Sequence, residues 1–189
     1  MKKSILIISF ALSVCLMNIN AQESMFKKGD AILNGSIGFG SVLFSGLGYH
    51  TSVPPIAASL EYGILDKVID KGSIGVGGYI GYSAYKWEYS GSDWGWRYNN
   101  IIIGARGVLH YPFVERLDTY TGLLVGFNLR TSSEYGPSNP AYGYAPSGSG
   151  PAWSWFIGGR YYFNRQFAAL AEIGYGIAWF NIGIAYRLK

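Results

Sequence analysis

The chain has 189 residues, of which only 14% are charged, and it carries 27 glycines, 16 tyrosines and 6 tryptophans. That length holds about one domain, and so little charge with so much glycine and aromatic surface argues against an ordinary soluble helical core. The formal balance of +4 hides no basic run beyond Lys27-Lys28 and no basic stripe, so nothing points to a nucleic-acid partner.

Residues 1–21 read as an export signal. Lys2 and Lys3 form a basic start, Ile5–Met17 is an apolar stretch, and Ile19-Asn20-Ala21 is a cleavage site before Gln22. The apolar stretch falls short of the roughly 20 residues that a transmembrane helix needs. Cys15, the only cysteine, lies inside this segment. A lipoprotein reading of Leu12-Ser13-Val14-Cys15 competes, but Val14 is bulky where such signals carry a small residue. Cleavage at Ala21 removes two lysines and no acids, leaving 13 basic against 11 acidic residues. It also leaves no thiol for disulfide, catalytic or metal chemistry.

Beyond residue 21 the chain alternates. Eight segments place large apolar residues at every second position, with glycine or polar residues between them, which is the period of a strand. They are Ala31–Gly40, Ile56–Leu65, Ser73–Lys86, Tyr98–Tyr111, Thr119–Thr131, Ala152–Phe163, Phe167–Tyr175 and the stretch from Phe180 to Leu188. The last is the clearest: Phe180, Ile182, Ile184, Tyr186 and Leu188 alternate with Asn181, Gly183, Ala185 and Arg187. Connections alternate too. Ser41–Pro55, Trp87–Arg97 and Ser132–Pro151 are long and rich in Gly, Ser, Pro and aromatics, whereas Asp66–Gly72, Pro112–Asp118 and Asn164–Gln166 are short and charged. Ser132–Pro151, with four prolines, is expected to be the most mobile part.

An apolar face on one side of every strand and a small or polar face on the other predicts an all-β fold. The expectation is an eight-stranded antiparallel transmembrane β-barrel, an up-and-down meander occupying residues 22–189. Long loops then face outward and short turns face the periplasm. Six charges fall on the small face: Glu61, Arg106, Arg130, Arg160, Glu172 and Arg187. Facing lipid, an arginine costs about 2–4 kcal/mol at the midplane, so these side chains are expected to point inward and pair, Glu172 with Arg160 and Glu61 with Arg106. Packing is the expected role of this interior network, with an ion or proton pathway as the alternative. Tyr111, Phe113, Tyr161, Phe163, Phe167 and Tyr186 read as an inner aromatic girdle. Trp87, Trp94, Trp96, Trp153 and Trp155 read as an outer one. Trp87, Trp94, Trp96, Tyr135, Tyr142 and Tyr144 form the candidate contact surface of the outer loops.

Gly159-Arg-Tyr-Tyr-Phe-Asn, Ala171-Glu-Ile-Gly-Tyr-Gly and Gly183-Ile-Ala-Tyr-Arg-Leu resemble the last three strands of small outer-membrane β-barrel proteins of the porin-like superfamily. The likeness is strongest to the Bacteroidetes-type outer membrane barrel domain. The resemblance implies a bacterial outer-membrane location, contact with outer-membrane lipids, and handling by the barrel-assembly machinery. That machinery favours a terminal aromatic where this chain has Leu188 followed by Lys189. The resemblance supplies no catalytic residue.

The residues themselves point to no catalytic, cofactor or metal site. His50 and His110 have no ligand partner at metal spacing, and there is no Gly-x-Ser-x-Gly elbow. Gly75-Val-Gly-Gly-Tyr-Ile lacks the third glycine of a dinucleotide fingerprint. Some small outer-membrane barrels modify lipid A with a His–Ser pair, and His50 beside Thr51 and Ser52 is the one place for such an enzyme. The expectation is a non-enzymatic protein with a structural or surface-interaction role, its outer loops contacting an envelope protein or a glycan. A narrow channel or lateral route for small solutes is the alternative, and a soluble lipocalin-like ligand-binding barrel the second.

Overall fold

Alternation over eight segments becomes a single closed sheet. The computed structural model describes residues 24–41, 48–88, 93–137 and 148–189, so residues 1–23, with Cys15 and the expected export signal, lie outside the described residues, as do 42–47, 89–92 and 138–147. The strands are β1 (Ala31–Phe39), β2 (Tyr49–Val68), β3 (Gly72–Glu88), β4 (Gly95–Val114), β5 (Leu117–Tyr135), β6 (Gly150–Tyr162), β7 (Phe167–Tyr175) and β8 (Phe180–Arg187). Each pairs antiparallel with its sequence neighbour, and β1 pairs with β8 from Ile32↔Arg187 to Phe39↔Phe180, closing the ring. Closure leaves no unpaired edge within the barrel wall, the condition for backbone in hydrocarbon.

The faces sort as the alternation requires. Ile80, Ile103, Leu123, Val125 and Ile184 stand more than half exposed on the outside. Glu61, Arg106, Arg160 and Glu172 are buried inside. This inverts a lipocalin, whose large apolar side chains face the lumen, and the soluble-barrel alternative fails on that ground. Tyr111–Phe113, Tyr161–Phe163 and Phe167–Tyr186 form ring pairs at the short-turn end. Phe39, Trp153, Tyr175, Trp179 and Phe180 are exposed at the other. Leu123 lies midway along the outward row of β5, and its replacement by arginine is expected to cost about 2–4 kcal/mol. The readout is the urea midpoint of the barrel in liposomes; an unchanged midpoint would mean that this face does not meet lipid.

Four strands outrun the rest. The last β1–β2 pair at the outer end is Ile37↔Ile56, yet β2 continues seven residues farther, to Tyr49. The last β5–β6 pair is Asn128↔Gly150, and β5 likewise continues seven residues, to Tyr135. The stretches expected to be loops at Ser41–Pro55, Trp87–Arg97 and Ser132–Pro151 are therefore partly strand. The β2–β5 sheet extends about 20 Å along the strands beyond its neighbours. Beyond the apolar layer both faces of a sheet are polar or aromatic, so the alternation that marks a strand fades. On the free edge of β2, Pro54, Pro55 and register shifts at Thr51/Val53 and Val53/Ile56 blunt pairing with a foreign strand.

At the other end the turns are tighter than expected. Ile69–Lys71 joins β2 to β3, with Ile69 and Asp70 at φ 50° and 69°. Glu115-Arg116 alone joins β4 to β5, with Arg116 at φ 62°. Asn164 Oδ1 accepts from the backbone N–H groups of Gln166 and Phe167, both at 2.8 Å, to shape the β6–β7 turn.

Candidate functional site

The inward charges converge in two layers near the short-turn end. In the lower one, Arg160 of β6 donates from Nη2 to Glu61 Oε2 at 2.6 Å and from Nη1 to Asp118 Oδ2 at 3.0 Å. His110 of β4 completes the set. Its Nδ1 lies 2.7 Å from Asp118 Oδ1, and its Nε2 lies 2.7 Å from Glu61 Oε1, an ionic contact off the axis of a good hydrogen bond. With a carboxylate oxygen against each ring nitrogen, a neutral imidazole would set a bare lone pair against an anion. An imidazolium satisfies both contacts. The lower layer then balances, with two carboxylates against a guanidinium and an imidazolium.

One level farther out, Arg106 Nη2 donates to Glu172 Oε1 at 2.6 Å, and the Tyr120 hydroxyl donates to the same oxygen at 2.9 Å. Arg106 also donates to Ser59 Oγ at 3.3 Å, and its guanidinium lies 4.0 Å from the centroid of Phe156. Above that, Asn128 Nδ2 and Arg130 Nε both donate to Asn100 Oδ1, at 3.1 and 3.3 Å. Arg106, Arg160, Glu61 and Glu172 thus meet in the lumen. Arg130 sits toward the long-strand mouth, and Arg187 at the short-turn one, 4.8 Å from the Tyr162 ring centroid.

The partners differ from the sequence expectation. Glu172 takes Arg106 and Glu61 takes Arg160. Glu172 lies opposite Gly158 and Arg160 opposite Leu170, so the two sit at different heights in the tilted wall. Arg160 instead lies directly across from Asp118 on β5. Asp118 and His110 also belong to the network, although the sequence expectation for it includes neither. The first was assigned to a turn, although the turn is only two residues long. The second lacks a sequence-local partner, but it shares the inward parity of Asn100 and Arg106, and that parity was the available signal.

A second missed element seals the mouth at the short-turn end. Residues 24–30 turn back into the barrel before β1 begins. Phe26 is fully buried, its ring stacked 4.1 Å from that of His110, and its carbonyl accepts from Ser73 Oγ at 2.7 Å. Arg187 donates to the Met25 carbonyl. The turn is fixed by Asp30, whose Oδ2 accepts from Lys27 N–H at 2.9 Å, and by Gly29 at φ 92°. Backbone bonds of 2.9 Å run from Gly29 N–H to the Gly63 carbonyl and from Gly63 N–H to the Asp30 carbonyl. The berth requires two glycines: a Cβ on Gly63 would lie 2.1 Å from the Lys27 carbonyl oxygen, and one on Gly75 would lie 3.0 Å from the Phe26 ring. Between this seal and the outer mouth, the cavity lined by Ser36, Tyr79, Arg106, Glu172 and Asn181 measures about 20 Å³, room for about one water.

The outer contact surface is also rearranged. Trp87 pairs with Trp96 and Tyr85 with Tyr98 across β3 and β4. Trp94 packs edge-on against both tryptophans, at ring distances of 6.3 and 5.9 Å, and donates to Glu134. Trp94 is buried, with 5% exposure, so it is a prop inside the extension and not a loop contact. Tyr135 packs on the other face, 5.6 Å from Lys86 Nζ. Tyr142 and Tyr144 lie outside the described residues. His50 is part of β2, paired with Lys86. Among the described residues there is no cluster of His, Cys, Asp and Glu suited to a metal.

No family model matches the chain, and no curated protein does. Solved structures do. The outer membrane protein OprG of Pseudomonas aeruginosa aligns over 88% of this chain and 99% of its own, with a TM-score of 0.53 at 12% identity. Ail of Yersinia pestis, solved with the heparin analogue sucrose octasulfate, aligns over 85% and 99%, with a TM-score of 0.48 at 16% identity. The N-terminal barrel domain of Pseudomonas aeruginosa OprF aligns over 85% and 98%, with a TM-score of 0.45 at 12% identity. The OprG likeness identifies the fold: this chain is a small eight-stranded β-barrel of the outer-membrane type.

Proposed function

We propose that the protein is an integral barrel of the bacterial outer membrane, exported by the signal in residues 1–21, which anchors a non-enzymatic interaction surface at the cell exterior. The observation that carries this reading is the filled lumen. Among the described residues, two ion layers and the stacked Phe26 fill the short-turn half of the lumen, and the cavity lined by Arg106 and Glu172 measures about 20 Å³. What remains is the stiff extension of β2–β5, propped from within by its aromatic cluster and suited to a protein or glycan partner through aromatic side chains with polar tips. The resemblance of the last three strands to Bacteroidetes-type barrels supports the same location and passage through the barrel-assembly machinery.

Single-channel recording of the protein in a planar bilayer tests this. Folded protein, identified by its heat-modifiable gel mobility, is expected to be electrically silent. Reproducible conductance steps from folded protein would replace this reading with the narrow-channel one.

A further inference from the structure

On the lipid-facing side of the extension, strand register sets three basic side chains in one row. His50 of β2 lies opposite Lys86 of β3, Lys86 opposite Arg97 of β4, and Arg97 opposite Ser133 of β5. Lys86 shares its face with Ile80 and Tyr82, and Arg97 shares its face with Ile101 and Ile103, residues of the apolar belt. Directly opposed residues hold their Cβ atoms about 4.5–5.5 Å apart, and like charges there repel. Among the described residues neither Lys86 nor Arg97 has an ion pair within 4 Å. Lys86 Nζ lies 5.6 Å from the Tyr135 ring centroid instead. Glu88, two residues farther out on β3, is the carboxylate that shares this face. Glu88 bonds to Tyr135 and makes no ion pair with either cation, so the two opposed cations are stabilised by a ligand anion that bridges both, and a guanidinium takes a phosphate in a two-pronged bond.

Height identifies the anion. Tyr82, Ile101 and Leu129 lie side by side as the outermost apolar row. Lys86 and Arg97 stand four residues beyond it, about 13 Å along the strands and about 10 Å along the membrane normal at the usual strand tilt. Headgroups occupy about 5–8 Å outside the hydrocarbon, and long basic side chains bend toward them. The row therefore lies just beyond the outer leaflet's headgroups and within side-chain reach of them, on the side facing lipid and away from the lumen.

We propose that Lys86 and Arg97, with His50 at the end of the row, bind the phosphate groups of a phosphorylated glycolipid in the outer leaflet. The proposal rests on the outer-membrane reading above. The test places the full protein, purified from outer membranes, in phosphatidylcholine nanodiscs and measures uptake of bis-phosphorylated lipid A against its dephosphorylated form. Heat-modifiable mobility is recorded on the same samples. A preference of about tenfold, or about 1.4 kcal/mol, for the phosphorylated form is expected. K86Q/R97Q is expected to lose it, and K86R/R97K to keep it. No preference, a preference that survives K86Q/R97Q, or equal retention of phosphatidylglycerol would each overturn the site while leaving the membrane reading intact. Protein that fails to insert as a heat-modifiable barrel would overturn both.

Discussion

Arg160→Leu is expected to destabilise the barrel by about 3–5 kcal/mol. Arg160 is fully buried and, among the described residues, is the only guanidinium that touches both Glu61 and Asp118. Without it, two carboxylates share one imidazolium in a buried space between Phe26 and Tyr120. The penalty is that of a stranded charge, which exceeds the net worth of the ion pairs themselves, because removing a charged set whole costs far less than removing one member. Urea titration in liposomes, followed by loss of the heat-modifiable band, measures it. A midpoint within error of the parent would mean that the lower layer is not a closed, balanced set.

Phe26→Ala is the second large effect, about 3–5 kcal/mol for a fully buried phenyl ring. The ring covers His110 and fills the mouth beside Ile32, Tyr162, Ala168 and Ala185. Its removal opens the ion layer to solvent from the short-turn end, so the loss of stability comes with exposure of a buried charged set. The urea midpoint is expected to fall, and hydrogen exchange to rise along β1 and the start of β3. A fall in midpoint with exchange unchanged there would mean that Phe26 supplies apolar contact without acting as a seal.

What the sequence made legible follows from how strongly each part is driven by lipid. The alternation of Leu123, Val125, Phe127 and Leu129 exists because one face meets hydrocarbon, and there strand, face and inward charge could all be read. Tyr49–Pro55 and Ser132–Tyr135 extend past the lipid, and with no solvent contrast between the faces their strand character left no mark. The ion pairing was misassigned because a tilted wall shifts heights between strands. Neighbouring strands do not guarantee a shared level, so Glu172 meets Arg106 across the lumen and not Arg160 beside it. Residues 24–30 were unreadable for a different reason. Met25 and Phe26 form too short an apolar pair to show a period, and their partners, Ser73, His110 and Arg187, come from three distant strands.

The seam between β1 and β8 also decides when the interior can form. Ala31 and Lys189 are bonded neighbours, with Ala31 N–H donating to the Lys189 carbonyl at 3.1 Å, although almost the whole chain separates them. Bringing such distant points together costs about 4–5 kcal/mol of chain entropy before any contact compensates. The bonds from Arg160 to Glu61 span 99 positions and also wait on long-range closure. Closure of the ring is therefore expected to be a late step of folding, with the interior charges fully enclosed once the final strand meets the first.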